Sequence, residues 1–373
     1  MNNTKFFVAL LVTLIWGTVG FGGARVVFVG DIMTHKEQLD AARRGGSWDF
    51  TPQFRRVRPL FENALVVGNL ETVFAGEKSG FAGYPSFNTP DELADALVDL
   101  GVGVVTLANN HILDRGTAGA QRAIEVLDKV GIRWTGLGGE PLTVDYAGLR
   151  WTFVSYSYGS NRAAASGDIL NTISDNVVED GLSRARLSSS DVVVACFHWG
   201  NEYQYSPTAR QRQVSALSFA NGANLVIGTH PHVLQPMEVV KLEGRGYGLV
   251  AYSLGNFVSY QRTPPRERSV ILAVDVEKTP DGVRLTRVSA APTRVSVAGA
   301  GKHRLVEVVY AGESPRFNHA GLPKKELQTA RQAGRLVLDF LGAAVSADAE
   351  GFYTLWDATS PDALPKPRRK TPQ

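Results

Sequence analysis

Residues 226–238 read "VIGTHPHVLQPME", and the pair His230 and His232 closes a short apolar run. Two imidazoles one residue apart repel when protonated and serve well when both hold a metal ion. Five more polar groups stand at the ends of other apolar runs. "GDIM" gives Asp31, "GNLE" gives Asn69 and Glu71, and "ANNHILDRG" gives Asn109, Asn110, His111 and Asp114. "FHWGNEY" gives His198, Glu202 and Tyr203, and "SLGNF" gives Ser253 and Asn256. Four of the seven histidines fall in this set, so it gathers most of the chain's imidazole. Each piece alone has a plain explanation: a turn after a strand, local side-chain to backbone bonding, or a buried histidine with a satisfied ring. Together they supply imidazole, carboxylate and amide donors for a divalent ion.

Positioning such a set requires strands that end at one edge. The runs "RVVFVG" (25–30), "ALVVGNL" (64–70), "GVVTLA" (103–108), "WTFVSY" (151–156), "DVVVACF" (191–197), "NLVIG" (224–228) and "GLVAYS" (248–253) are nearly continuous in apolar residues. That is the pattern of strands buried on both faces under helices. Amphipathic stretches at 90–101, 117–131 and 207–222 alternate with them, the first two stopping at Gly101 and Gly131. The order predicts an α/β architecture with its ligand site at the carboxyl ends of the strands. From residue 269 to 295 and again from 303 to 309 the pattern changes to strands joined by turns, and a last helix is predicted over 324–344.

The chain has 373 residues, 44% hydrophobic and 20% charged, enough for one large domain or two ordinary ones. A net charge of +3 over that length gives no electrostatic footprint for nucleic acid. Residues 1–24 begin with Lys5 and an apolar stretch and end in Gly22-Gly23-Ala24, the pattern of a secretory signal, with an uncleaved membrane anchor as the alternative. Either places the globular part outside the cytoplasm. The single cysteine, Cys196, sits in an apolar run and has no partner, so the fold must stand on its core. One domain is expected over 25–315, followed over 316–373 by a helix and a basic, disordered tail.

The ordered series "GDIM", "GNLE", "NNHILDRG", "HWGNEY", "GTHPHVLQPME" and "SLGNF", spanning about 26–258, resembles the CapA family of capsule and poly-γ-glutamate synthesis proteins. That family is in turn similar to the calcineurin-like metallophosphoesterases. The resemblance implies a four-layer α/β/β/α sandwich with a two-metal centre on its loops. It implies Asp31, Glu71, Asn110, His198, His230 and His232 as metal ligands for one or two ions of manganese, zinc or iron. Asp31, Asn110 and His111 become the catalytic set, with His111 as acid, and Asn69, Glu202, Tyr203 and Asn256 the groups that meet substrate. Two departures stand out: Met33 replaces the first histidine of the phosphoesterase pattern, and Asn69 replaces its bridging aspartate unless Glu71 reaches into that place. His35 is the nearest substitute for the lost histidine. The resemblance implies a hydrolase-like catalyst acting on an anionic cell-surface polymer or its precursor, with a membrane synthesis and export complex as a partner. A polymer-binding component without catalysis and a divalent-metal phosphoesterase are the alternatives. Arg115, Arg162, Arg210 and Arg212 lie in or near the loops, where a guanidinium could grip a carboxylate or phosphate.

Overall fold

The computed structural model describes residues 23–162, 169–299, 304–317 and 319–361. The segments expected to be a signal or anchor and a basic tail lie, up to residue 22 and from 362, outside the described residues. The alternation of side chains along each strand explains the layering. In the first strand, Ala24–Ile32, Val26 and Phe28 point one way and Val27 and Val29 the other, and all four are buried. Val27 and Val29 pack with Leu97, Ala123 and Leu127 of two helices, Glu92–Leu100 and Gly116–Val130. Val26 and Phe28 meet Trp151, Phe153, Val194 and Ile227 from a second sheet. The strand Val192–His198 repeats the logic, with Val192, Val194 and Cys196 facing the first sheet. Its Val193, Ala195 and Phe197 pack on Val178, Leu182 and Val214 of helices Asp175–Leu187 and Ala209–Ala220. The result is the expected order of helices, sheet, sheet, helices.

Both sheets are mixed. In the first, Ala24–Ile32, Leu65–Leu70, Val102–Thr106 and Arg133–Thr135 run parallel in that order. On the other side of Ala24–Ile32 the sheet continues antiparallel through Arg268–Thr279, Gly282–Ala298 and Leu305–Tyr310. In the second, Leu149–Ser157, Val192–His198, Leu225–Thr229 and Gly246–Ala251 are parallel neighbours, and each edge carries an antiparallel strand. The helices stop where the sequence predicts, Glu92–Leu100 at Gly101 (φ 99°) and Gly116–Val130 at Gly131 (φ 81°), both left-handed caps that favour glycine. Helix Asp175–Leu187 is an element the sequence reading leaves out. Gly181 weakens its pattern, and it is there because a Cβ at that position would lie 1.9 Å from the Tyr156 hydroxyl oxygen.

The carboxyl-terminal region corrects one expectation. Helix Lys324–Leu341 forms as predicted, three residues shorter, but Val337, Phe340 and Leu341 enter the layer between the sheets. Strand Tyr353–Asp357 then pairs antiparallel with Gly282–Ala298 and becomes part of the first sheet. Trp356, 1% exposed, meets Tyr247 of the second sheet at 5.1 Å between ring centroids. A boundary at 315 therefore falls inside one packed unit, because an apolar strand that completes a core cannot be a separate extension. Trp356→Ala is expected to cost about 3–5 kcal/mol in urea unfolding. A loss below about 1 kcal/mol would mean that the strand is accessory to the core.

Candidate metal centre

The strand ends deliver the predicted residues to one place. Register in the first strand shifts between Val29 and Asp31, a bulge that sets Asp31 opposite both Asn69 and Asn256. Gly30 makes this possible, since a Cβ there would lie 1.8 Å from the Gly255 carbonyl oxygen. Gly228 does the same for the second sheet, where a Cβ would be 2.0 Å from the Tyr252 carbonyl oxygen. Beyond it the chain turns sharply: His230 (φ 95°) and His232 (φ 57°) both adopt positive φ, as does Tyr203 (φ 64°), whose amide donates to the Pro231 carbonyl at 2.8 Å. Non-glycine residues in that region store strain of order 1–3 kcal/mol each, the kind of backbone found at functional sites.

Glu71 lies at the centre. It is completely buried, and neither carboxylate oxygen has a hydrogen-bond partner. Its Oε1 is 3.7 Å from His198 Nε2 and 3.8 Å from His232 Nε2. Burial, and then the neighbouring Asp31 carboxylate, push its carboxyl well above the usual range. Three donor triads have atoms within 4.8 Å of one another: Glu71 with His198 and His230, Asp31 with Glu71 and His232, and Glu202 with His230 and His232. Glu71 belongs to two of the three. It thus stands between His198 and His232, where Asn69 has no charge to offer.

The surrounding bonds fix the rings. His232 Nδ1 faces Asp31 Oδ2 at 3.1 Å and Asn256 Oδ1 at 3.0 Å, two acceptors, so Nδ1 carries the proton and the Nε2 lone pair points toward Glu71. His198 Nδ1 lies 3.1 Å from Thr229 Oγ1, whose own proton goes to the Phe197 carbonyl. In the metal-free protein Nε2–H donates to Asn110 Oδ1 at 2.8 Å and Nδ1 accepts from Asn69 Nδ2 at 3.3 Å, so a cation held at Nε2 would displace that proton to Nδ1, beside Thr229. Burial holds the His198 ring well below its ordinary pKa, and burial first, then the nearness of the His232 ring, lowers His230 to about 4. Both rings therefore stay neutral, and His230 Nδ1 is buried with no partner among the described residues.

His111 sits to one side. Its Nδ1 donates to Asp114 Oδ2 at 2.8 Å, and the Phe87 amide donates to the same oxygen at 2.7 Å, so the ring is locked with Nε2 turned toward Asn161. Asn161 reaches the same turn: its amide nitrogen donates to the Asn110 carbonyl at 2.9 Å, and its Nδ2 is 3.4 Å from His111 Nε2. Sequence reasoning passes over Asn161, because no apolar run or motif marks the loop that carries it. His111, Asn110 and Glu202 border an open cleft of about 830 Å³.

Two expected substrate contacts change role. Asn69 donates from Nδ2 to Asp31 Oδ1 at 2.8 Å, and its Oδ1 accepts from Thr106 Oγ1 at 3.1 Å. Asn256 gives its Oδ1 to His232 and its Nδ2 to the Arg266 carbonyl at 3.0 Å. Both are buried with their amides spent inside the protein, so they hold the cluster in shape instead of facing the cleft. Glu202 is exposed at the mouth, and Tyr203 lies half-buried, 6.0 Å between ring centroids from His232, under the Arg266 guanidinium. Both oxygens of Asp31 are likewise engaged, by Asn69 and His232. His35 does not replace the missing histidine: it precedes helix Lys36–Ala42, its Nδ1 accepts from the Tyr260 amide at 3.3 Å, and it belongs to none of the three triads. Met33 is buried.

These shifts set the stability of the metal-free protein against pH. Below about 6.5 the unfolded chain takes up protons that folded His198 and His230 refuse, His230 until about 4. Their contribution is therefore complete above that value and lost as the pH falls. Glu71 acts in the opposite sense, because the folded state retains a proton that the unfolded chain releases above about 4.5. It costs stability increasingly as the pH rises. Glu71→Gln is expected to stabilise the metal-free protein near neutral and alkaline pH by about 1–3 kcal/mol in urea titrations. A variant less stable than the wild type there would contradict this account of the carboxylate.

With the geometry in place, the comparisons are informative. The family profile described as bacterial capsule synthesis protein PGA_cap matches residues 25–261. The capsule biosynthesis protein CapA of Bacillus anthracis is 29% identical over 251 residues, which are 62% of this chain and 59% of that protein. The chain thus spans less than two thirds of the length of that relative. The PGA biosynthesis protein CapA of Bacillus subtilis (strain 168) is 29% identical over 271 residues, 68% of each chain. Among solved structures, Haemophilus influenzae NAD nucleotidase has a TM-score of 0.47 at 12% identity, covering 84% of this chain and 62% of that one. A calcineurin-like phosphoesterase from Bacillus subtilis has a TM-score of 0.45 at 11% identity, covering 73% of this chain and 91% of that one. On the profile match, which takes in every residue of the metal-donor cluster, this chain belongs to the family of the bacterial capsule synthesis protein PGA_cap.

Proposed function

We propose that this chain acts outside the cytoplasm in the assembly of an anionic cell-surface polymer of the capsule or poly-γ-glutamate kind, as a metal-dependent, hydrolase-like catalyst on the polymer or its precursor. The observation that carries the reading is Glu71, a fully buried carboxylate with both oxygens unpartnered between two imidazole nitrogens. Leaving such a group uncompensated is costly, and a cation is the partner its surroundings fit. The leader at 1–24 supports a place outside the cytoplasm, as a cleaved signal or as an anchor to a membrane complex.

The donor set suits a borderline divalent ion. Carboxylate oxygen from Glu71 and imidazole nitrogen from His198, His230 and His232 match manganese, zinc or iron. Asp31, Asn110 and Glu202 stand close enough to complete one site or two. When bound, the ion supplies Lewis acidity toward a phosphoryl or acyl oxygen. The protein's own groups do the rest. Asp31 and Asn256 orient His232, Thr229 orients His198, and Asn69 ties the two sides together through Asp31 without adding a third buried carboxylate. Asp114 holds His111 through Nδ1–H, so that Nε2, once it has taken a proton from solvent or the attacking water, can pass it to a leaving group in the cleft.

Purified protein incubated with manganese or zinc and then desalted should retain one or two equivalents by elemental analysis. Glu71→Gln and His230→Ala should each weaken retention by about 100-fold or more. His111→Asn should keep its metal and lose about 10²–10⁴ in rate in a screen of phosphoester and polymer substrates. Wild-type protein that never holds metal would sink the catalytic reading.

A further inference from the structure

Of the four arginines that the sequence places near the site, two are already neutralised. Arg210 pairs with Asp175 at 2.7 Å and Arg212 with Glu238 at 3.0 Å. Arg115 and Arg162 differ from them, because their hydrogen bonds go to backbone carbonyls. Arg115 donates from Nε to the Phe87 carbonyl at 3.2 Å and from a terminal nitrogen to the Ser86 carbonyl at 2.8 Å. Arg162 donates to the Asp114 carbonyl at 3.1 Å. Both border the 830 Å³ cleft on the His111 side. A guanidinium offers five N–H donors, so each retains some after these bonds, in a fork already held in place.

The charge of the cleft narrows the ligand. Its charged lining consists, among the described residues, of Arg115, Arg162, Asp114 and Glu202. The Asp114 carboxylate is buried and consumed by His111 and the Phe87 amide. Glu202 is within donor range of His230 and His232, on the side of the metal cluster. The outer part of the cleft therefore presents two planar cations with no carboxylate of the described residues upon them, while the described lining as a whole is balanced. Two separate monoanions satisfy that arrangement. A run of dianionic phosphates overloads it.

We propose that Arg115 and Arg162 form a carboxylate subsite, which holds successive acidic side groups of a chain while the neighbouring unit lies at the metal cluster. The assignment rests on the functional reading above for its connection to the metal cluster, but its binding step needs no metal. Bidentate guanidinium–carboxylate bonds would set the register of the chain and select against uncharged polymers. Arg162 is the cleaner of the two for a test, being exposed and tied by one carbonyl, whereas Arg115 also clips the 79–87 loop.

The test is fluorescence anisotropy of a labelled γ-linked glutamate oligomer with the full chain stripped of metal by chelation. Arg162→Ala is expected to weaken binding about tenfold or more at unchanged melting temperature, and Arg162→Glu further still. Arg162→Lys should recover part of the loss, because lysine restores the charge without the fork. The isosteric glutamine oligomer should bind far less well than the glutamate oligomer. Binding that ignores Arg162→Ala and Arg162→Glu overturns the proposal, as does equal affinity for the glutamine oligomer. Tighter binding of tripolyphosphate would reassign the subsite to phosphate and overturn it too. A loss seen only in Glu71→Gln or His230→Ala would put the chain on the metal cluster instead. Failure of the metal-retention experiment leaves this one readable, since it is performed without metal.

Discussion

An uncompensated carboxylate at the meeting of two sheets is the constraint on which this site depends. Glu71 follows a strand of the first sheet, whereas His198 closes one strand of the second and His230 and His232 follow another. The distances of 3.7 and 3.8 Å between them therefore measure how the sheets pack. That packing comes from the apolar layer they share, which includes Phe28, Val67, Trp151, Val194 and Ile227. A slip of one residue in any contributing strand would exchange the layers its side chains face and withdraw its ligand from the cluster. The core thus does two things at once: it stabilises the fold and it sets the spacing of the donors.

Backbone strain and close approach follow from the same demand. Two imidazoles from one tripeptide can converge on neighbouring points only if the chain turns tightly, and His230 and His232 accordingly take positive φ. Gly30 and Gly228 let carbonyls come within distances that a Cβ would forbid, one in each sheet, just before Asp31 and just before Thr229-His230. These are local costs that the surrounding core offsets. The gain is a set of rings whose directions are fixed by Asp31, Asn256, Asn110 and Thr229 before any ligand arrives.

The departures from the phosphoesterase pattern also acquire a physical reason. An aspartate at 69 would put a third carboxylate beside Asp31 and Glu71 in a fully buried pocket. Asn69 instead donates a hydrogen bond to Asp31 and accepts from Thr106, which lowers the repulsion Glu71 must bear. Glu71, two residues further and with a longer side chain, occupies the middle of the donor set. The central charge of the cluster thus sits at Glu71 and not at position 69.

The sequence by itself determined the polar types and their order, the apolar runs that make strands buried on both faces, and the glycine stops of two helices. These are local properties, carried by periodicity and by the conformational needs of single residues. The tertiary structure alone decided which donors share a point, that Asn69 and Asn256 are scaffolding, and that Asn161 joins the His111 turn. It also decided that Arg115 and Arg162 keep free charge while Arg210 and Arg212 do not, and that the strand bearing Trp356 belongs to the first sheet. Each of those outcomes depends on desolvation and distance between segments remote in the chain. A carboxylate becomes a metal donor or a spent partner according to what the packing brings beside it, and no spacing in the sequence records that.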